Sequence, residues 1–136
     1  MSDAAPLFPP PGSHDELELG TRLTPRFDAA GLVTAVVTEH GTGQVLMLAH
    51  MNAEALDLTR KTGLIHFWSR SRRKLWLKGE TSGETFKVVE LRVDCDQDCL
   101  LIRVTPQGKG NACHTGRRSC FYRTVKETDV LNFGST

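Results

Sequence analysis

The sequence predicts a β-rich α+β single domain with one main helix, and three observations carry that reading. Short runs of strand-forming residues recur between glycine-containing turns, and one segment alone carries both helix start and stop signals. No internal repeat or linker divides the chain, whose 136 residues are about one domain's worth and enough to bury a single core.

The elements follow in order. Residues 1–15 open with MSDAAPLFPPPG, small, proline-rich and aperiodic, which predicts a disordered or loosely attached tail before a domain spanning 16–136. Glu16 to Ala30 is mixed and broken by Pro25, a lead-in with a short helical turn. Leu32 to Thr38 is β-branched, and after the Gly41/Gly43 turn Gln44 to His50 reads as its hairpin partner. The helix follows: Asn52 as N-cap, Glu54 in the first turn, Lys61 near the end and Gly63 as the stop. Leu64 to Ser69 returns to strand character. Ser69 to Glu84 is basic and turn-rich, with a short strand at Leu75 to Leu77. Thr85 to Asp94 and Cys99 to Pro106 read as two further strands, and a glycine-rich turn then leads into CHTGRRSCFYR.

Composition narrows the function. A formal net charge of +1 provides no field for binding nucleic acid or an anionic membrane. No apolar run reaches the about 18–20 residues needed to span a bilayer, and the N-terminus lacks the layout of a secretory signal. A cytoplasmic protein is the expectation, in which four cysteines are ligands or free thiols rather than disulfides.

Four constellations carry chemistry. Cys95, Cys99, Cys113 and Cys120 are confined to one region, and thiolates suit zinc. Their spacing departs from the tight knuckles of zinc ribbons, so small buried hydrophobes remain the alternative, favoured for Cys99. If DCDQD (Asp94 to Asp98) is extended, its three aspartates share one face and Cys95 takes the other. Such carboxylates suit Mg²⁺ or Ca²⁺, and a solvated acidic turn is the alternative. A zinc site using Cys95 then needs partners from another segment or another subunit. His114, beside Cys113, is placed to carry protons, whereas His14, His40, His50 and His66 read as surface or packing residues. Finally, the basic segment with Arg70, Arg72, Lys78, Thr81 and Ser82 suits phosphate oxygens, and Trp76 offers a stacking face; a solvated hairpin tip is the alternative.

Together LMLAHMN, FWSRSRRKLWLKGETSG, DCDQD and ACHTGRRSCF, in this order, resemble the phosphoribosyl-AMP cyclohydrolases of histidine biosynthesis over roughly Leu32 to Arg123. The resemblance implies a hydrolase that opens the N1–C6 bond of the adenine ring of phosphoribosyl-AMP with zinc-activated water. It implies a homodimer joined through the metal-site region, with Cys95 of one chain and Cys113 and Cys120 of the other on each Zn²⁺. It further implies Mg²⁺ on Asp94, Asp96 and Asp98, with His114 as the catalytic base. His50 departs from the family's usual tyrosine.

Two rivals stand beside this reading. One is a structural zinc module closing all four cysteines in a single chain. The other is a nucleobase deaminase, which needs H-x-E with P-C-x-x-C, and no cysteine pair of this chain has the latter spacing.

Overall fold

A computed structural model describes residues 6–127 and 129–133. Among them are two helices, α1 (His14–Leu19) and α2 (Ala53–Thr62). The strands are β1 (Val33–Glu39), β2 (Val45–Met51), β3 (His66–Ser69), β4 (Lys74–Leu77), β5 (Phe86–Val93), β6 (Cys99–Pro106), β7 (Thr124–Lys126) and β8 (Val130–Asn132). This is the β-rich α+β class expected.

The main sheet runs β2-β1-β6-β5, with hairpins β3-β4 and β7-β8 beside it. β1 and β2 form an antiparallel hairpin, as do β5 and β6. The two hairpins join through a parallel pairing of β1 with β6 that matches Thr34 to Cys99 and Val37 to Ile102. Parallel neighbours require a long crossover, and here α2, the β3-β4 hairpin and β5 all lie between them in the chain.

α2 forms where its caps predict. The Asn52 side chain accepts the Ala55 N–H at 2.8 Å, and Gly63 closes the helix in the left-handed region at φ 76°. Its inward face, Ala55, Leu56 and Thr59, is fully buried against the sheet together with Ile65, Phe67 and Phe86. Thr59 in turn ties the helix to β3, accepting the His66 N–H at 2.9 Å.

The largest departures lie at the ends of the chain. From Pro6 onward the segment expected to be loosely attached meets the core: Phe8 is 7% exposed and packs 6.2 Å from the Phe27 ring and 6.0 Å from the Arg60 guanidinium. α1 begins at His14, inside that segment, held by a capping box between Ser13 and Glu16. A single aromatic among prolines has no periodicity to announce its burial. Strands β7 and β8 are three residues each, exposed and too short for a pattern, and nothing in the sequence announced them. Residues 1–5 of the expected tail lie outside the described residues.

Because Phe8 anchors this segment, Phe8→Ala should cost about 3 kcal/mol of stability, the low end of the range for truncating a buried phenylalanine. Urea unfolding of the full chain measures it, and an unchanged midpoint would show that the contact contributes nothing.

Candidate metal and active site

The thiol site begins with turns. Chain leaving β6 folds back at 112–118, where Ala112 N–H donates to Arg118 and Cys113 N–H to Arg117, both at 3.0 Å. Cys113 is buried at the tip of this loop. Beyond it, Cys120 N–H donates to the Leu46 carbonyl at 2.8 Å and the Ser119 hydroxyl to Val45 at 2.8 Å. The second cysteine is therefore pinned to the start of β2.

Burial pushes the Cys113 thiol up, but the Thr115 hydroxyl at 3.1 Å, its backbone N–H and the neighbouring Cys120 outweigh that and hold it below the ordinary value. Burial, then the Cys113 charge, pushes Cys120 up to about 11. Two sulfurs that share charge in this way form a dithiol suited to a soft cation, and the donor chemistry fits zinc.

Glu84 holds this loop from outside. Its carboxylate accepts the backbone N–H groups of Lys109 (3.0 Å), Gly110 (2.9 Å) and Asn111 (3.1 Å). Those bonds, that of Lys109 foremost, hold its carboxyl below the ordinary range. Gly79 makes the approach feasible: at φ 85°, a Cβ there would lie 2.3 Å from the Glu84 carbonyl carbon. Glu84 did not stand out in the sequence, because the clamp joins segments 25–27 residues apart.

Two adjoining clefts meet at this loop. One, of about 660 Å³, is lined by Cys113, Cys120, Lys78, Thr81, Ser82 and Glu84. The other, of about 1030 Å³, is lined by His50, Trp68, Arg70 and Ser71. Arg72, Trp76 and His114 line both. One groove thus runs from the thiols past an indole and an imidazole to two exposed arginines. Trp76 is fixed by β4, its ring 5.0 Å from that of Phe67.

Two sequence expectations shift here. His50, read as surface or packing, lines the groove; burial and then Arg70 lower its pKa, with Asp28 opposing. Lys78, grouped with the arginines, is only 8% exposed and lies at the thiol end. The imidazole signal could have been found from strand alternation, since His50 is the last residue but one of β2.

The acidic site lies elsewhere. Asp94 to Asp98 is the turn between β5 and β6, not the extended strand on which the alternation argument stood. Gln97 takes φ 59°, and Asp94 Oδ1 accepts the N–H groups of Asp98 (3.0 Å) and Cys99 (3.1 Å). The three carboxylates nevertheless converge, one oxygen from each within 4.8 Å of the others. Hydrogen bonding to Asp96 and then Asp94 pushes Asp98 up to about 6, while the bond with Asp98, helped by Arg26 at 3.6 Å, holds Asp96 below its ordinary value. Such a cluster suits a hard divalent cation.

Gln97 anchors this turn. It is 3% exposed, its amide donates to the Leu17 and Arg22 carbonyls, and its oxygen accepts the Thr24 N–H at 2.9 Å. A glutamine between two aspartates gave no sign of this.

The cysteines divide between the two ends of the sheet. Cys99 pairs with Thr34 of β1, whereas Leu46, which receives Cys120, sits opposite Val37 and Thr38. That offset is roughly 10–13 Å along the strands, with two strand spacings across adding roughly 10 Å. Sulfurs on one zinc lie within about 4 Å of each other. Among the described residues the aspartates form the only cluster of three or more such ligand atoms, so the four-cysteine site within one chain is not formed. Cys95 is exposed, in a separate cleft of about 540 Å³ beside Arg60 and Val93.

Comparison with known proteins converges on one family. The phosphoribosyl-AMP cyclohydrolase family model matches residues 47–122, from the middle of β2 past Cys120. The phosphoribosyl-AMP cyclohydrolase of a Chelativorans species is 59% identical over 121 residues, 89% of this chain and 87% of that protein. That of Sinorhizobium medicae is 60% identical over 116 residues, covering 85% and 77%. That of Sphingopyxis alaskensis is 63% identical over 112 residues, covering 82% and 87%. A family model over more than half of the chain and relatives at about 60% identity show that the chain belongs to the phosphoribosyl-AMP cyclohydrolase family.

Proposed function

We propose that this chain hydrolyses the N1–C6 bond of the adenine ring of phosphoribosyl-AMP, a cytoplasmic step of histidine biosynthesis. The observation that carries the reading is the continuous groove from Cys113 and Cys120, past Trp76 and His114, to Arg70 and Arg72. It places a stacking face between a metal-suited dithiol and cationic forks, as a nucleotide with two phosphates requires.

Cys113 and Cys120 would hold Zn²⁺ with Cys95 from a second copy of the chain, and Asp94, Asp96 and Asp98 would hold Mg²⁺. What supports sharing is that Cys95 is exposed at the other end of the sheet, unable to meet the pair within its own chain. When bound, zinc with three protein ligands and an open position makes water acidic enough to react near neutral pH.

The chain's own residues do the rest. Trp76 stacks on the base, and Arg70 and Arg72 receive a phosphate as bidentate donors. Thr81 and Ser82, exposed in the turn after Gly79, offer further donors. His114 takes the proton of the attacking water as its oxygen bonds to C6. As N1–C6 breaks, N1 leaves with a proton and C6 becomes a carboxamide. General-base assistance of this kind contributes on the order of 10²–10⁴-fold.

Ring opening followed by ultraviolet absorbance tests the activity directly. Turnover should cease with a chelator and return with zinc; folded, zinc-loaded protein without turnover would overturn the reading. Sharing of the site is tested by mixing two inactive variants, Cys95→Ala and Cys113→Ala. After subunit exchange, half of random dimers are mixed and one site in each is complete, so roughly a quarter of wild-type activity should return. No recovery by a mixture shown to exchange subunits would rule out sharing. Glu84 supplies a pH prediction. Its pKa is depressed on folding, so its stabilisation is present above the usual carboxylate range and is lost as pH falls through the lowered value. Glu84→Gln, which points an NH₂ at backbone donors, should lower the melting temperature at neutral pH and flatten its decline in acid. An equal melting temperature at both pH values for variant and wild type would refute the clamp.

A further inference from the structure

We propose that the β7-β8 hairpin is a docking arm, whose apolar face seats in the cleft beside Cys95 of a second copy of this chain. This rests on the shared zinc site proposed above and adds the surface that holds two copies in that arrangement.

The arm has an uncovered face. Its strands are three residues each, and among the described residues neither pairs with another sheet. Such a ribbon is marginal in water unless something packs against it. The register sets Val125 opposite Leu131, so both project from one face, and Phe133 follows two residues after Leu131. These three side chains are 67%, 47% and 68% exposed. Adjoining large apolar groups left in water on so small an element mark a contact surface.

The thiol loop holds the arm in place. Tyr122 and Phe133 stack 5.9 Å apart, and the Arg117 guanidinium lies 4.1 Å and 5.2 Å from their ring centres. The Arg117 carbonyl in turn accepts the Cys113 N–H. The base of the hairpin is therefore tied to the loop that presents the thiols.

Reach identifies the occupant. Val125 follows Cys120 by five residues, a span of about 18 Å at most. Cys95 of a second copy, once on the same zinc as Cys113 and Cys120, brings its own cleft within that span. Leu23, Leu91 and Val93 give this cleft of about 540 Å³ an apolar wall next to Cys95, and Val93 is exposed. Among the described residues no part of the hairpin lines the cleft of its own chain, because the arm leaves the opposite end of the sheet. Twofold symmetry doubles the contact: each copy offers one arm and one cleft, so every shared zinc comes with one docked hairpin.

Photo-cross-linking of the zinc-loaded full chain tests this without reference to turnover. A benzophenone-bearing phenylalanine is placed at Leu131, and isotope-labelled chains are mixed with unlabelled ones and allowed to exchange. Irradiation should join labelled to unlabelled chains, from the probe to the partner's Leu23, the partner's Leu91 or the partner's Val93. Should the chain not fold with the probe at Leu131, Val125 carries it instead. Val125→Asp, shown to be folded by circular dichroism, should raise the dimer dissociation constant on the order of tenfold or more in sedimentation. A dimer whose cross-links fall within one chain or elsewhere on the partner overturns the docking, as does a Val125→Asp variant that dimerises like wild type. A chain that sediments as a monomer while turning over fully would sink the shared site itself, a separate outcome.

Discussion

The parallel pairing of β1 with β6 is the constraint on which the rest of the structure depends. It joins two hairpins that would otherwise each present an open edge, and its register decides where the aspartate turn and the thiol loop fall. The β5-β6 turn, with its aspartates and Cys95, is placed at the Thr34 end. The chain leaving β6 at Pro106 emerges at the opposite end, where Cys113 and Cys120 settle against β2. A sheet is stiff along its strands, so no loop movement within one chain readily brings these ends together.

From that separation comes the division of labour. The acidic end collects hard oxygen ligands on a tight turn, locked by Gln97 to the α1 region. The thiol end collects soft ligands in a partly closed cleft, locked by Glu84 and the start of β2. Each site carries its own backbone clamp, a buried amide in one and a multiply bonded carboxylate in the other. Neither clamp contributes a metal ligand, and both fix the main chain that presents the ligands. Clamps of this kind keep the carboxylate and thiol geometry from depending on flexible loops.

Legibility in the sequence followed the range of the interactions. α2 was readable to the residue because its signals are local: the Asn52 cap, the Glu54 and Lys61 charges and the Gly63 stop all act within one turn. Strand β6 was read with its observed bounds because its apolar run ends at Pro106. Convergence of Asp94, Asp96 and Asp98 was expected, but for the wrong reason: a turn with a left-handed Gln97 gathers them, not the alternation of a strand. The docking of Phe8, the clamps at Gln97 and Glu84, and the burial of Lys78 were invisible. Each depends on partners outside its own local segment, from 8 residues away for Lys78 and Phe86 to 80 for Gln97 and Leu17.

What the sequence determined by itself was the class of fold and the family, since residue type and short spacing encode these directly. Only the tertiary structure decided which ligands meet. Cys95 and Cys99 precede Cys113 by only 18 and 14 residues, yet the strand register carries them to the far end of the sheet. The β3-β4 hairpin and the 112–118 loop, distant in sequence, bring Trp76, the arginines and His114 into one groove. Register is set by the summed packing of two hairpins across a crossover, a property of the whole core that no local pattern records.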